Sequence, residues 1–292
     1  VDQHDQLAEK FEENRTQLRS VAYRMLGSVN EAEDAVQEAW LRLSRSDVSE
    51  VANLSAWLTT VVSRVCLDML RTRKSRREDP LDIFVPDPIV SPLDPEEEAV
   101  RADSVGLAML VVLETLAPAE RLAFVLHDMF ALSFDEIAEI VDKSPAATRQ
   151  LASRARRRVQ GVPVSDGDVG RQREVVDAFL AASRSGDFEA LLSLLDPDVV
   201  LRADAGTTPA DPTGPAVSKL VRGALAVVEQ ALMFTRLAPY SRPALVNGTP
   251  GVITVVNDQL LGVMAVTAHN GKITEINILA DIPRLQSLPI PA

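Results

Sequence analysis

Residues 144–160 read SPAATRQLASRARRRVQ, with five arginines (Arg149, Arg154, Arg156, Arg157 and Arg158) and no acid. The 292-residue chain around them has a formal net charge of −12, so an arbitrary surface helix here would be acidic. Just ahead, residues 133–143 (SFDEIAEIVDK) place Phe134, Ile137, Ala138 and Val141 at helical spacing, and Ser133 with Glu136 has the capping-box pattern. Two helices across a tight connection, the second rich in arginine, read as a helix-turn-helix whose second helix fits a DNA major groove. A solvated basic helix in a helical bundle would carry the same charge. The acidic background is what favours DNA.

Length and composition set the bounds for this reading. A chain of 292 residues implies about two domains, and 46% hydrophobic with 4% aromatic residues implies a sizeable core of Ala, Leu and Val. The single cysteine, Cys66, excludes an intramolecular disulfide and any multi-cysteine metal site, and its apolar setting VVSRVCLDML reads as a buried structural thiol. No apolar run reaches the roughly 20 residues of a membrane span, and the polar start VDQHDQLAEKFEEN lacks a signal-peptide core, so the expected location is the cytoplasm. An acidic protein that binds DNA must concentrate its positive charge, and a second partner would help to hold it there.

Outward from the basic stretch, the pattern is helical on the N-terminal side. Residues 11–26 carry Phe11, Leu18, Val21, Ala22, Met25 and Leu26 on one stripe that Gly27 ends. Residues 30–45 follow, with Asn30 as the expected cap, Ala32, Ala35, Val36, Ala39, Trp40 and Leu43 on the apolar face, and Asp34, Gln37, Glu38 and Leu41 on another. After a loop at 46–53, residues 54–77 form a long helix whose second half holds Arg64, Arg71, Arg73, Lys74, Arg76 and Arg77 against one acid, Asp68. Residues 78–103 bring nine acids and five prolines, the mark of an extended acidic linker able to compete for the DNA-binding surface. Helices resume over 104–160, Pro118 opening one of them, and lone His127 reads as a packing or surface residue.

Beyond a flexible joint at 161–170 the pattern changes class. Two helices (171–184 and 187–195), a strand (199–203), a loop (204–215) and a helix (217–237) precede strand-like runs at 244–247, 251–256, 260–268 and 273–280. Asn270-Gly271 is the strongest hairpin signal. Helices and then an antiparallel meander indicate an α+β domain, one curved sheet wrapped on helices.

Taken together, AEDAVQEAW (32–40), WLTTVVSRVCLDMLR (57–71), ERLAFVLHDMFALSFDEIAEIV (120–141) and ATRQLASRARRRV (147–159) resemble the extracytoplasmic-function sigma factors of bacterial RNA polymerase. The subgroup they resemble carries a SnoaL-like, NTF2-like C-terminal extension. The resemblance implies two all-α domains, region 2 at 5–77 and a region 4 helix-turn-helix at 104–160, with the linker 78–103 between them. The joint 161–170 and an α+β cone at 171–283 complete the chain. Expected partners are promoter DNA and core polymerase, through the clamp helices of its largest subunit and its flap. No cofactor, metal or membrane is implied, the chain has no chemistry of its own, and whether the cone takes a small ligand is left open.

The same resemblance assigns residues. Asp34, Gln37, Glu38 and Leu41 would grip the basic clamp. Asn53 and Trp57 would belong to the capture of an unstacked base of the minus-ten element, offsetting an unstacking cost of a few kcal/mol, with Arg64, Arg71 and Arg73 near its phosphates. Thr148, Arg149, Gln150, Ser153 and Arg154 would read the minus-thirty-five element, with Arg157 on phosphate. Two segments depart from the subgroup pattern: 84–88 (FVPDP, including Pro86, Asp87 and Pro88) lacks the usual tryptophan, and the loop at Asp204 and Gly206 lacks the usual glycine-lysine run. A linker-to-extension contact built on those motifs is expected to be weaker here.

Two rival functions remain. A catalytic cone would need a base and an oxyanion donor converging in an apolar site, from Asp198, Asp204, Tyr240 or His269. A plain helix-turn-helix repressor would explain 144–160 but not 32–40 or the basic helix before the linker.

Overall fold

The computed structural model describes residues 3–46, 51, 53–76, 83–92, 105–161, 169–206 and 218–288. Most of the 46–53 loop, both flanks of the acidic linker, the joint at 162–168 and the loop at 207–217 lie outside them. Two compact units emerge, one of Val1–Asp79 with Val112–Gly161 and one of Pro80–Val111 with Val162–Ala292.

The described residues of the first unit form helices and their short connections. Helix α1 (Gln3–Leu26) buries the expected stripe and stops at Gly27, whose φ of +66° is open to glycine and whose N–H returns to the Tyr23 carbonyl at 2.8 Å. Helix α2 (Val29–Leu43) is capped by Ser28, not by Asn30, because the Ser28 hydroxyl accepts from the Glu31 N–H and the chain turns helical two residues earlier than a cap at Asn30 implies. Helix α3 (Leu54–Arg76) buries Leu58, Val62, Val65, Cys66 and Leu70. Burial pushes the Cys66 thiol up to about 12, leaving it protonated and inert at neutral pH.

Helices α4 (Leu107–Glu114) and α5 (Pro118–Phe124) follow, α5 running into a π-turn at Val125–Met129 before α6 (Phe134–Val141) and α7 (Pro145–Val159). The capping box of α6 is complete: the Ser133 N–H and hydroxyl donate to Glu136 at 2.8 and 2.6 Å, and the Glu136 N–H donates back at 3.3 Å. Asp142 ends α6 in the left-handed region, and Ser144 caps α7 ahead of Pro145. The short connection between these two terminators makes the helix-turn-helix.

Those Ser133 hydrogen bonds, side chain first and backbone second, hold the Glu136 carboxyl below the usual glutamate range. A depressed folded-state pKa stabilises above the unfolded value and loses that contribution as pH falls through the folded one. The stability difference between wild type and Glu136→Ala is therefore expected to be full at neutral pH and to shrink once pH drops below about 4.3, the ordinary glutamate value. Thermal unfolding between pH 3 and 7 checks this; a difference constant over the whole range would contradict it.

The second unit contains a seven-stranded sheet in the order β1-β4-β5-β6-β7-β2-β3. Helices α8 (Val169–Ser185) and α9 (Phe188–Leu194) lead into β2 (Leu195–Asp204), then β3 (Lys219–Arg222) and α10 (Ala224–Met233). The meander β4 (Ser241–Val246), β5 (Thr249–Val256), β6 (Gln259–His269) and β7 (Lys272–Leu279) is antiparallel, and α11 (Ile282–Gln286) closes it. Val199, Leu201, Val266 and Ile276 of the sheet pack with Val176, Phe179 and Val227 of the helices.

All three meander turns have two central residues at positive φ, Asn247-Gly248, Asn257-Asp258 and Asn270-Gly271, the geometry that matches strand twist. The helix expected over 217–237 is corrected at its start: Lys219–Arg222 is an edge strand paired with β2, and the helix begins only after Gly223, whose φ of +88° turns the chain. Strand β2 also runs parallel to β7, so the sheet is mixed.

The linker itself is a structural element. Strand β1 (Val90–Ser91) pairs antiparallel with β4, and Asn247 fastens it from both sides: its N–H donates to the Ile89 carbonyl at 2.8 Å and its Oδ1 accepts from the Ile89 N–H at 3.0 Å. The strand lies at the sheet edge, where the flanking prolines remove no hydrogen bond from the sheet interior.

Candidate functional site

Helix α7 sorts its arginines by partner. Its inner side buries Thr148, Ala152 and Ala155. Arg156 is paired with Asp128 at 2.7 Å, and Arg158 reaches the Thr115 carbonyl at 3.2 Å. Arg149, Arg154 and Arg157 are exposed and make no ion pair among the described residues, with Gln150 and Ser153 between them on the same side. The buried Thr148 is a correction to the expected reading set. Its hydroxyl donates to the Ser144 carbonyl inside the fold and cannot reach a base edge.

On α2, Asp34 and Gln37 are exposed, Glu38 pairs with Arg42 at 2.9 Å, and Leu41 stands open to solvent beside them. At the start of α3 the Asn53 side-chain Oδ1 accepts from the Ala56 N–H at 3.1 Å, so Asn53 caps the helix, with half-buried Trp57 one turn on.

The basic residues of α3 separate. Arg71 is exposed and pairs loosely with Asp68 at 3.6 Å. Arg64 donates to the Glu139 carbonyl of α6 at 2.9 Å. Arg73 turns inward, ion-paired with Glu31 and Glu114 and donating to the Leu26 carbonyl at 2.9 Å. Its expected place near promoter phosphates is corrected for this state: the guanidinium is spent on joining α1, α2 and α4.

Next to it lies Arg121 of α5, 1% exposed, donating to Glu114 at 2.7 Å and to the Arg24 carbonyl of α1 at 3.1 Å. Nothing in the residue pattern had singled out Arg121. A lone arginine inside an apolar run (ERLAFVL) was the available signal.

The second cluster joins linker, sheet and C-terminal helix. Arg284 of α11 donates through Nε and Nη2 to Asp87 at 2.8 and 2.5 Å, through Nη1 to Asp204 at 2.9 Å, and through Nη2 to the Val85 carbonyl at 2.6 Å. Its guanidinium lies 4.8 Å over the Phe84 ring, and Asp204 also accepts from the Val85 N–H at 3.0 Å. Pro86, Asp87 and Pro88 are buried with it. Gly206 is required by two constraints, a φ of +73° and the Asp281 carboxylate standing where a Cβ would be. The linker-to-extension contact expected to weaken is therefore made, with Phe84 in place of the missing tryptophan and Arg284 supplying the cation. Asp281, capping α11 two residues before Pro283, was the sequence signal for this short helix.

Residues 11–76 match Sigma-70 region 2, and residues 107–159 match Sigma-70, region 4. The chain is 36% identical over 298 residues to the probable ECF RNA polymerase sigma factor SigI of Mycobacterium tuberculosis, spanning 99% of this chain and 98% of that protein. It is 40% identical over 298 residues to ECF RNA polymerase sigma factor SigJ of the same organism, spanning 96% and 94%. The crystal structure of that SigJ aligns over 97% of this chain and 99% of its own, with a TM-score of 0.75 and 39% identity. The chain belongs to the ECF RNA polymerase sigma factors.

As a sigma factor it binds core RNA polymerase and directs transcription initiation at promoters, and its family is not one of enzymes. The repressor reading falls with this assignment. The residues named for a catalytic cone do not converge: Asp204 is held by Arg284, Asp198 and Tyr240 are exposed, and His269 ends β6 opposite Lys272 beside a hairpin turn. Among the described residues no group of three or more His, Cys, Asp or Glu could hold a metal ion, and no helix is long and apolar enough to cross a membrane.

Proposed function

We propose that this sigma factor is held in a closed state by its own chain, with the C-terminal domain acting in cis as a regulator through the linker and not as an enzyme, and that it works in the cytoplasm. The observation that carries the reading is Arg284 clasping Asp87 and Asp204. The clasped segment lies on the only covalent path between region 2 and region 4, so fixing it to the C-terminal sheet limits how far those regions can separate. Direct contacts between regions 2 and 4 act in the same sense, with Arg64 tied to Glu139 and Arg121 tied to Arg24. Polymerase binding then supplies the free energy of opening. A closed state favoured by about 2.7 kcal/mol lowers apparent affinity roughly a hundredfold. The test is Arg284→Glu assayed for polymerase affinity and start-site choice against wild type.

In the open state Asp34, Gln37, Glu38 and Leu41 form the polymerase-binding face, and Asn53, Trp57, Arg64 and Arg71 serve the minus-ten element. Arg149, Gln150, Ser153 and Arg154 read the minus-thirty-five element. Arg149→Ala is expected to cost about 1 to 3 kcal/mol and to relax preference at one base pair, whereas Arg157→Ala, at a phosphate, weakens all sites alike. Transcription from a set of single-base promoter variants separates the two, and uniform losses from both would reject the division.

A further inference from the structure

Among the described residues three exposed arginines of α7 make no ion pair, and one of them is set apart by an aromatic neighbour. The Arg149 guanidinium lies over the Phe134 ring, 5.6 Å from its centroid. The same ring stacks on His127, with centroids 3.8 Å apart and planes 28° apart. His127 is fixed in turn by a 2.7 Å hydrogen bond between Nδ1 and the Leu132 carbonyl. Because a carbonyl can only accept, Nδ1 carries the proton. Phe134 is the first residue of α6, directly after the Ser133 cap and its box with Glu136. The column therefore starts in the π-turn, passes through a capped helix start and ends on the recognition helix. Among the described residues neither Arg154 nor Arg157 rests on an aromatic ring.

The chemistry of reading DNA gives this column a use. A phosphate accepts from an arginine in many orientations, but a base edge needs the planar guanidinium fork aligned for two parallel hydrogen bonds. An exposed arginine must surrender rotamer freedom to hold that plane, and a ring beneath it reduces what is left to surrender. We propose that Phe134, itself held by His127, is a positioning residue that pre-orients Arg149 for base readout. This rests on the reading of Arg149 as a base-contacting residue. Phe134 touches no base and acts only through the guanidinium.

The experiment uses the full-length chain with core polymerase on a DNA pool whose minus-thirty-five region is randomised, with transcripts sequenced to give a preference at every position. Arg149→Ala should abolish preference at one base pair. Phe134→Leu should weaken preference at that same pair by about two- to fivefold, the strength of an exposed cation–π contact converted at 1.4 kcal/mol per tenfold. Phe134→Tyr, which keeps the ring face, should restore it, and Phe134→Leu combined with Arg149→Ala should be no worse at that pair than Arg149→Ala alone. Should Phe134→Leu fail to fold, His127→Ala should give a smaller relaxation at the same position. Equal losses across the pool with preferences intact, or relaxation at a different base pair, would overturn the positioning role while leaving Arg149 as a reader. Preferences untouched by Arg149→Ala would overturn both.

Discussion

Arg284→Glu is expected to release the linker and tighten binding to core polymerase, by up to about a hundredfold if closure is worth 2.7 kcal/mol. The size follows from what the guanidinium balances. Asp87 and Asp204 are 4% and 7% exposed and both pair with the Arg284 guanidinium, so removing it takes a cationic partner from two buried carboxylates. Breaking a buried pair by deleting one partner costs about 3 to 5 kcal/mol, and the substitution adds a third negative charge at the same point. That exceeds the closing free energy, so the cheaper outcome is for the 84–88 segment to leave the sheet and hydrate its carboxylate. Promoter choice should not change, because the residues of α7 are untouched. Fluorescence titration of labelled protein with core polymerase gives the affinity; equal affinities for variant and wild type would show that the clasp does not limit opening.

Arg121→Ala is expected to be the most destabilising single change in the helical unit, at about 3 to 5 kcal/mol. Glu114 is as deeply buried as its partner, with side chains 3% and 2% exposed, and its second link to Arg73 is long at 3.6 Å. Truncating Arg121 takes a 2.7 Å cationic partner from that buried carboxylate and a donor from the Arg24 carbonyl, and it also opens a cavity. Urea unfolding followed by circular dichroism measures the loss. A change under about 1 kcal/mol would mean that the network reorganises around Arg73. Arg121→Met fills the volume without the charge, and Arg121→Met with Glu114→Gln, which also removes the buried negative charge, should recover part of the loss, because charge and cavity then cease to add.

Much of the fold could be read locally. Ser133 with Glu136, Gly27, Pro145 after Ser144, and Asn270-Gly271 are short-range signals, and each ends or starts an element where the residue chemistry requires it. The strand at Lys219–Arg222 was misread because its four residues run straight into the apolar ALAVVEQALM, and only pairing with β2 distinguishes it from a helix start. The parallel pairing of β2 with β7 leaves no trace in either strand's own pattern. The same limit hid the clasp. Arg284 meets partners 80 and 197 positions away, and neither FVPDP nor DIPRL says which acid will be buried against which base. The inward placement of Thr148 and Arg73 was hidden for a related reason. Motif position gives a residue's helix, but the facing element decides whether it looks outward.

Run-off transcription with core polymerase tests the account most directly, with wild type and Arg284→Glu compared side by side on the same pool of genomic promoter fragments. The account predicts specific transcripts from the same start sites with both proteins, and more of them from the variant when polymerase is limiting. No specific transcript from either protein would contradict it.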